Sequence, residues 1–481
     1  MQSIWHKTVN IPGRAPLSGD IKTQAVVIGA GLAGCLTAYF LQRQGVETVV
    51  LEAGRIGSGQ TGNTTAKITS QHGLIYDRLI KHFGEEPARQ YAAANQHAIE
   101  KYRRLIGGNG IDCDFEERCA YLYTKTSPEA LLPEWEAAKK LGIAASLVQE
   151  TALPFPIAGA LKFENQAQFH PLKFLKAISQ ELTVYEQTPA LKVEGDKVET
   201  SRGTVTAEHI IFACHFPFVN VPGYYFLRMH QERSYVLALE NAMELDGMYL
   251  GVDADGLSFR NVGKTLLLGG GAHRTGENSA GGKYDMLRQQ AKYLWPQSFE
   301  IAHWSAQDCI PMDGVPYIGR FSERRDNWYV ATGFQKWGMT SSMVAAMILC
   351  DAVLGKENDC AAVFSPQRFV LPASAKNLAT DAVQAVKGIG KGLFSMPDIA
   401  GAELPKGHGG VVEVDGQRLG LYRSEDDVRY AVDVKCPHMG CELSWNPDEK
   451  SWDCPCHGSR FDHTGALISG PAQTGVTPGS E

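Results

Sequence analysis

Gln24-Ala-Val-Val-Ile-Gly29-Ala-Gly31-Leu-Ala-Gly34-Cys-Leu-Thr-Ala-Tyr-Phe-Leu-Gln-Arg-Gln44-Gly45-Val-Glu-Thr48-Val-Val-Leu-Glu52 holds the decisive signal of this 481-residue chain. Gln24–Ile28 is a short β-branched run that reads as a strand. Leu32–Gln44 has the composition of a buried helix, and Gly45 stops it. Thr48–Glu52 is a second strand. Strand, turn, helix and strand form a βαβ unit, which opens a parallel sheet.

Within this unit the glycines have separate tasks. Gly29 permits the tight turn. Gly31 lets backbone approach a pyrophosphate, whose charge the helix N-terminus stabilises. Gly34 allows close packing of helix on sheet. Glu52 ends the second strand eighteen residues after Gly34, where a carboxylate accepts from ribose hydroxyls. The fingerprint alone does not separate NAD from FAD. The chain reads as having one such fingerprint set between a strand and a helix, not two.

Further on, amphipathic helices and strands mix, with a helix near 86–106 and strands near 204–213 and 265–269. Residues 1–20 read as an irregular lead-in. A proline-containing, charged stretch at 366–400 suits a linker. After it the texture changes to short strand-like runs at Gly410–Val414, Arg418–Tyr422 and Arg429–Val434, a small all-β domain. The expected units are 1–365, 366–400 and 401–481.

Four of the eleven cysteines fall in this last unit. The boxes are Cys436-Pro-His438-Met-Gly-Cys441 and Cys454-Pro-Cys456-His457-Gly-Ser459. The spacing C-x-H, fifteen residues, C-x-x-H gives two thiolates and two imidazoles, the ligand set of a Rieske [2Fe–2S] cluster. Zinc also takes Cys₂His₂. However, each box supplies one Cys and one His, and the extra Cys441 and Cys456 would be surplus around zinc. The boxes resemble the Rieske subunits of respiratory and photosynthetic cytochrome complexes. That resemblance implies iron ligands Cys436, His438, Cys454 and His457 and a Cys441–Cys456 disulfide. It also matches Gly470-Pro471-Ala472 to a proline loop and Ser459 to a serine that hydrogen-bonds a cluster sulfur. Phe461 stands where high-potential members carry Tyr, which implies one hydrogen bond fewer and a lower potential.

Three segments of the larger unit resemble the D-amino-acid oxidase (DAO) superfamily of FAD-dependent amine and amino-acid oxidoreductases, sarcosine and glycine oxidases included. They are the Gly29 fingerprint with Ala53–Lys67 after it, Asp308–Gly319, and Trp328–Thr340. The resemblance spans about 22–355. It implies a glutathione-reductase-like Rossmann FAD domain, α/β in class, interleaved with an α+β substrate domain. It places Gly29, Gly31, Gly34, Glu52, Arg55, Ser58, Thr64 and Thr65 on the ADP and ribityl parts of FAD. It places Gly333, Gly338, Met339 and Thr340 near the isoalloxazine, where N–H donors stabilise the reduced ring. His273, Lys336 and Arg260 are the candidate catalytic residues. His170, before Pro171, reads as a packing or capping residue. Cys309 is set aside as a flavin attachment point because its spacing does not match.

The expected activity is oxidation of an amine or amino-acid-like substrate by hydride transfer to FAD, with electrons passed singly to the cluster. The alternative is an electron-transfer component serving a separate oxygenase or reductase. A simple oxidase whose Rieske domain is structural is a third reading. No D/E-x-x-H-x-x-x-x-H iron site is present, so a Rieske oxygenase subunit does not fit. Net charge is −7, pI about 6.1, with 44% apolar and 21% charged residues, and no basic block suggests nucleic acid. The longest apolar run, Met343–Cys350, is far below the ~20 residues of a membrane span. The N-terminus shows no apolar leader. A cytoplasmic protein with a small-molecule substrate and an external electron acceptor or donor protein is expected.

Overall fold

The computed structural model describes residues 2–368, 404–414 and 416–477. Most of the stretch expected to be a linker lies outside these residues. Pro366–Arg368 are described and are pinned to the body: Arg368 forks onto Asp313 at 2.8 and 2.9 Å.

The opening unit forms as expected, with strand Ile21–Ile28, helix Leu32–Arg43 and strand Thr48–Leu51. Ile21–Ile28 is the centre of a parallel array. Its neighbours are Gly203–Phe212 on one side and Thr48–Leu51 on the other, extended by Arg325–Thr332 and Thr183–Tyr185. Both faces of a parallel sheet are covered, which is why Ala25–Ile28 and Thr48–Leu51 are buried throughout. Helix Leu32–Arg43 packs against helix Gly338–Val353 over this sheet.

A second, nine-stranded sheet carries the middle of the chain. At its edge Phe299–Pro311 pairs antiparallel with Met229–Glu240, which in turn pairs with Thr265–Arg274. Helix Glu85–Asn109 ends at Gly110 in the left-handed conformation. Residues 2–20 are not wholly irregular, because Ile4–Thr8 forms a short helix with Trp5 fully buried. The sequence signal was weak because one turn is too short to show periodicity.

The C-terminal unit has two small antiparallel sheets. One joins Gly409–Val414, Gln417–Arg423 and Arg429–Asp433. The other joins Ser444–Asn446, Ser451–Asp453, Arg460–Asp462 and Leu467–Ser469. Its core is built on Trp445, Trp452, Phe461 and the buried cysteines.

Candidate functional site

The glycine turn is sterically specified. Gly29 has φ +111°, and a Cβ there would lie 2.6 Å from the carbonyl oxygen of Ala213. A Cβ on Gly34 would overlap the carbonyl oxygen of Gly29. Gly31 differs, since only the Thr61 hydroxyl oxygen, at 3.3 Å, lies near the position of its Cβ. That hydroxyl accepts from Leu32 N–H at 2.9 Å. Open space before a helix N-terminus suits a diphosphate. Glu52 sits beside it, accepting from Ala30 N and Gly54 N at 2.8 Å each. Burial raises its pKa, and these N–H groups oppose the rise.

The loop that follows is held from behind. Arg55 pairs with Glu186 at 2.9 Å, and Ser58 Oγ accepts from Arg55 N. Thr64 Oγ1 accepts from Ala66 N. The carbonyls of Thr64 and Thr65 accept from Trp5 Nε1 and Arg260 Nη1, both at 2.7 Å. The N-terminal helix therefore braces this loop.

Strand Arg325–Thr332 leads through Gly333, at φ +73°, to the helix that starts at Gly338. A Cβ on Gly333 would lie 2.6 Å from Pro311 and 3.2 Å from the Met229 sulfur, whereas Gly338 has open space at its Cβ position. The Met339 carbonyl accepts from Tyr102 Oη. The Thr340 hydroxyl donates to Thr69 O and accepts from Thr69 N. Trp337 stacks on His72 with centroids 4.8 Å apart. His72 is buried, and that burial holds its pKa down to about 3.

The two cysteine boxes adopt the same local structure. Gly440 N–H bonds Cys436 O, and Gly458 N–H bonds Cys454 O. Both glycines have positive φ. Cys441 and Cys456 form a disulfide that joins the loops. Cys436 and Cys454 are buried free cysteines close enough to hydrogen-bond one another. The rings of His438 and His457 lie 4.9 Å apart. His438 Nδ1 is buried without a hydrogen-bond partner, as a nitrogen reserved for a metal should be. The Ser459 hydroxyl bonds Cys436 and accepts from Ala472 N at 3.0 Å. These residues fit a [2Fe–2S] cluster.

The cluster loops rest on the larger unit. Gln231 Nε2 donates to His457 O at 2.6 Å and Gln307 Nε2 to Gly458 O at 2.7 Å. Phe226 meets the His438 and His457 rings edge-on. Asn220 Oδ1 lies 3.0 Å from His438 Nε2. Glu449 of the small unit enters a polar socket made by Arg233, Ser305 and Tyr284.

The sequence profile described as FAD dependent oxidoreductase matches residues 24–352. The chain belongs to the FAD-dependent oxidoreductase (DAO) family. The profile of the Rieske [2Fe–2S] domain matches residues 395–478. A Bacillus subtilis (strain 168) protein named as a Rieske 2Fe-2S iron-sulfur protein, YhfW, is 39% identical over 98% of this chain and 96% of its own length. Gamma-glutamylputrescine oxidoreductase of Escherichia coli (strain K12) is 26% identical over 41% of this chain and 50% of its own. Glycine oxidase from Geobacillus kaustophilus superposes with a TM-score of 0.59 at 21% identity, covering 73% of this chain and 99% of that one. This DAO–Rieske chain is thus an FAD-dependent oxidoreductase with a [2Fe–2S] domain. No helix among its described residues is long and apolar enough to cross a membrane.

The structure separates the three candidate catalytic residues of this family member. Directly opposed residues of an antiparallel pair share a face. Arg233 opposes both His273 and Gln307, so these three share the face that carries the Rieske unit. His273 Nδ1 donates to Arg274 O at 2.7 Å, which leaves Nε2 to accept from Tyr235 Oη at 3.1 Å. It lies at the seam between the units, stacked on Tyr235. Arg260 is buried, and its guanidinium donates to the Thr65 and Ala66 carbonyls. Burial lowers its pKa to about 9. It braces the Thr65–Ala66 loop, and it has no open fork for a substrate carboxylate. Lys336 alone of the three lies within the Gly333–Thr340 segment. It pairs with Glu232 at 3.2 Å, and Glu232 opposes Asp308 on the other face of the ribbon. His170 caps helix Pro171–Ser179, accepting from Lys173 N at 3.2 Å.

Sequence reasoning missed Thr61, Asn220, Gln231, Glu232, Gln307, Asp308 and Glu449. One signal was available. His230-Gln-Glu-Arg-Ser234 lies inside a strand and is polar at every position, where a half-buried strand would alternate. Polar groups on both faces mean that both faces meet something polar.

Proposed function

We propose that this chain oxidises an amine or amino-acid-like substrate by hydride transfer to FAD, and that the electrons leave one at a time through the Rieske cluster. The carrying observation is one shared strand. Met229 underlies Gly333 of the flavin segment, and Gln231 donates to the His457 loop. They stand two residues apart, about 7 Å of strand rise. When bound, FAD takes up a two-electron hydride and a Rieske [2Fe–2S] centre takes up one electron.

The residues proposed to hold FAD are Gly29, Gly31, Gly34, Glu52, Ser58, Thr64, Thr65, Gly333, Gly338, Met339 and Thr340, with Thr61 added. Arg55 acts through Glu186. Cys436, His438, Cys454 and His457 are the proposed iron ligands. Residues 1–365 form the proposed oxidoreductase unit and 401–481 the Rieske unit.

On the ribbon face away from the Rieske unit, Glu232 pairs with Lys336 and stands opposite Asp308, and this is the proposed substrate side. The His230 imidazole, 3.6 Å away, with the charge of Lys336, holds Glu232 down to about 2 against the effect of burial. Burial raises Asp308 to about 7. A constant carboxylate suits the ammonium of an amine substrate, and Asp308 can take or release a proton near neutrality. The DAO-family fold and the named activity of the Escherichia coli relative support an amine or amino acid as substrate class.

The test is anaerobic mixing of the holoprotein with a panel of amines and amino acids, read by flavin absorbance and by EPR. The expected result is bleaching of the flavin followed by a Rieske EPR signal. Bleaching with a cluster that stays oxidised refutes the electron route. If no substrate bleaches the flavin but a reduced ferredoxin or reductase does, the chain is an electron-transfer component instead.

A further inference from the structure

The ring of His438 is partnered from outside the iron-sulfur unit. The hydrogen bond at His438 Nε2 comes from the oxidoreductase body, where Asn220 Oδ1 lies 3.0 Å away. A side-chain amide oxygen only accepts, so Nε2 carries the hydrogen and Nδ1 is left as the bare nitrogen. Nδ1 is indeed the buried atom without a partner. Asn220 is itself fixed, because its carbonyl accepts from Tyr224 N at 2.8 Å. Tyr225, next in the same loop, is fully buried and donates to Phe321 O. Phe226 of this loop covers the edges of both histidine rings. On the opposite side, Gly458 presses on Gln231 and Pro455 on Gly276 so closely that an added Cβ at either glycine would lie 2.6 Å from its neighbour. The His438 ring is therefore held from outside its own unit.

We infer that Asn220 is a positioning residue for the cluster: it fixes the tautomer and orientation of His438, and through that bond the body sets part of the cluster's reduction potential. A ring N–H that donates to an acceptor makes the other nitrogen a stronger donor to its metal, which favours the oxidised, more positive cluster. The stronger the acceptor, the lower the potential. The two units then behave as one redox device, with the potential tied to docking.

The inference rests on reading His438 as an iron ligand through Nδ1. It does not require that flavin electrons reach the cluster. The test is a mediated dithionite titration of the full-length holoprotein, followed by EPR, on wild type, Asn220→Ala and Asn220→Asp. Removing the acceptor should raise the potential, and a carboxylate in its place should lower it. Each shift should be about tenfold in the oxidised-to-reduced ratio, or about 59 mV for a one-electron couple. Nitrogen hyperfine coupling of the ligand histidine should change in parallel. A potential unchanged in either variant, or moved the same way in both, overturns the inference. Iron content and visible absorbance report cluster loading. Asn220→Ser replaces the Ala variant if the latter fails to load, and failure of all three to load makes Asn220 a folding residue and also overturns it. His438→Ala checks the underlying reading separately, because a surviving Rieske signal there would remove His438 as a ligand whatever Asn220 does.

Discussion

Replacing Glu449 with Gln should weaken the attachment of the iron-sulfur unit by about 3 kcal/mol at pH 7. Glu449 lies 2.7 Å from Arg233, and their side chains are 11% and 2% exposed. Its oxygens also accept from Ser305 at 2.6 Å, Tyr284 at 2.8 Å and Arg460 at 3.3 Å. Burial pushes its pKa up, yet the charges of Arg233 and Arg460 hold it down to about 2, against an ordinary 4.5. A carboxyl pKa lowered from 4.5 to about 2 corresponds to about 3 kcal/mol, in line with the 3–5 kcal/mol typical of breaking one partner out of a buried pair. The sign follows from linkage. A carboxylate with a depressed folded pKa stabilises fully above about 4.5, and the stabilisation is lost as pH falls towards 2. Arg233→Met combined with Glu449→Gln removes both charges and should recover part of the loss. Urea unfolding at pH 7, followed by the visible circular dichroism of the cluster, measures wild type, Glu449→Gln, Arg233→Met and the double variant. A Glu449→Gln variant within 0.5 kcal/mol of wild type, or a double variant whose loss is the sum of the single losses, would refute the reasoning.

Phe461→Tyr should raise the cluster potential by about 59 mV, since one added hydrogen bond worth about 1.4 kcal/mol favours the reduced cluster tenfold; an EPR-monitored titration with no rise would sink the idea. Gly34→Ala should yield protein without FAD absorbance, because the new Cβ would overlap Gly29 O, whereas Gly107→Ala, in open space on a helix, should keep FAD and gain about 0.5–1 kcal/mol. Asp308, raised to about 7, binds more protons folded than unfolded between about pH 4 and 7, so its contribution to stability falls as pH rises through that window. Asp308→Asn should therefore melt higher than wild type at pH 8 but not at pH 4, and equal melting temperatures at pH 8 would contradict the assignment.

Local chemistry was legible in the sequence because it depends on short spacings. The Gly29–Gly34 fingerprint, Glu52 at the strand end and the paired Cys–His boxes each lie within a few residues or one βαβ unit, where backbone geometry fixes which atoms meet. The nucleotide turn and the two cluster loops fold as those spacings require. The candidate catalytic residues were different. His273, Arg260 and Lys336 come from separate strands and loops, and which face each side chain occupies depends on pairing register. A shift of one residue moves a strand's whole side-chain set to the other face. Register put His273 opposite Arg233 at the Rieske seam, turned Arg260 onto the Thr65 and Ala66 carbonyls, and left Lys336 beside Glu232.

By itself, then, the sequence determined that this chain builds a dinucleotide site and a Rieske cluster, because contacts close along the chain encode both. Only the tertiary structure decided that the Gly333 and His457 segments meet one strand and that Asn220, Gln231, Gln307 and Arg233 hold the C-terminal unit on the body. Those contacts join residues more than 140 positions apart, and their geometry is set by packing and register across two sheets.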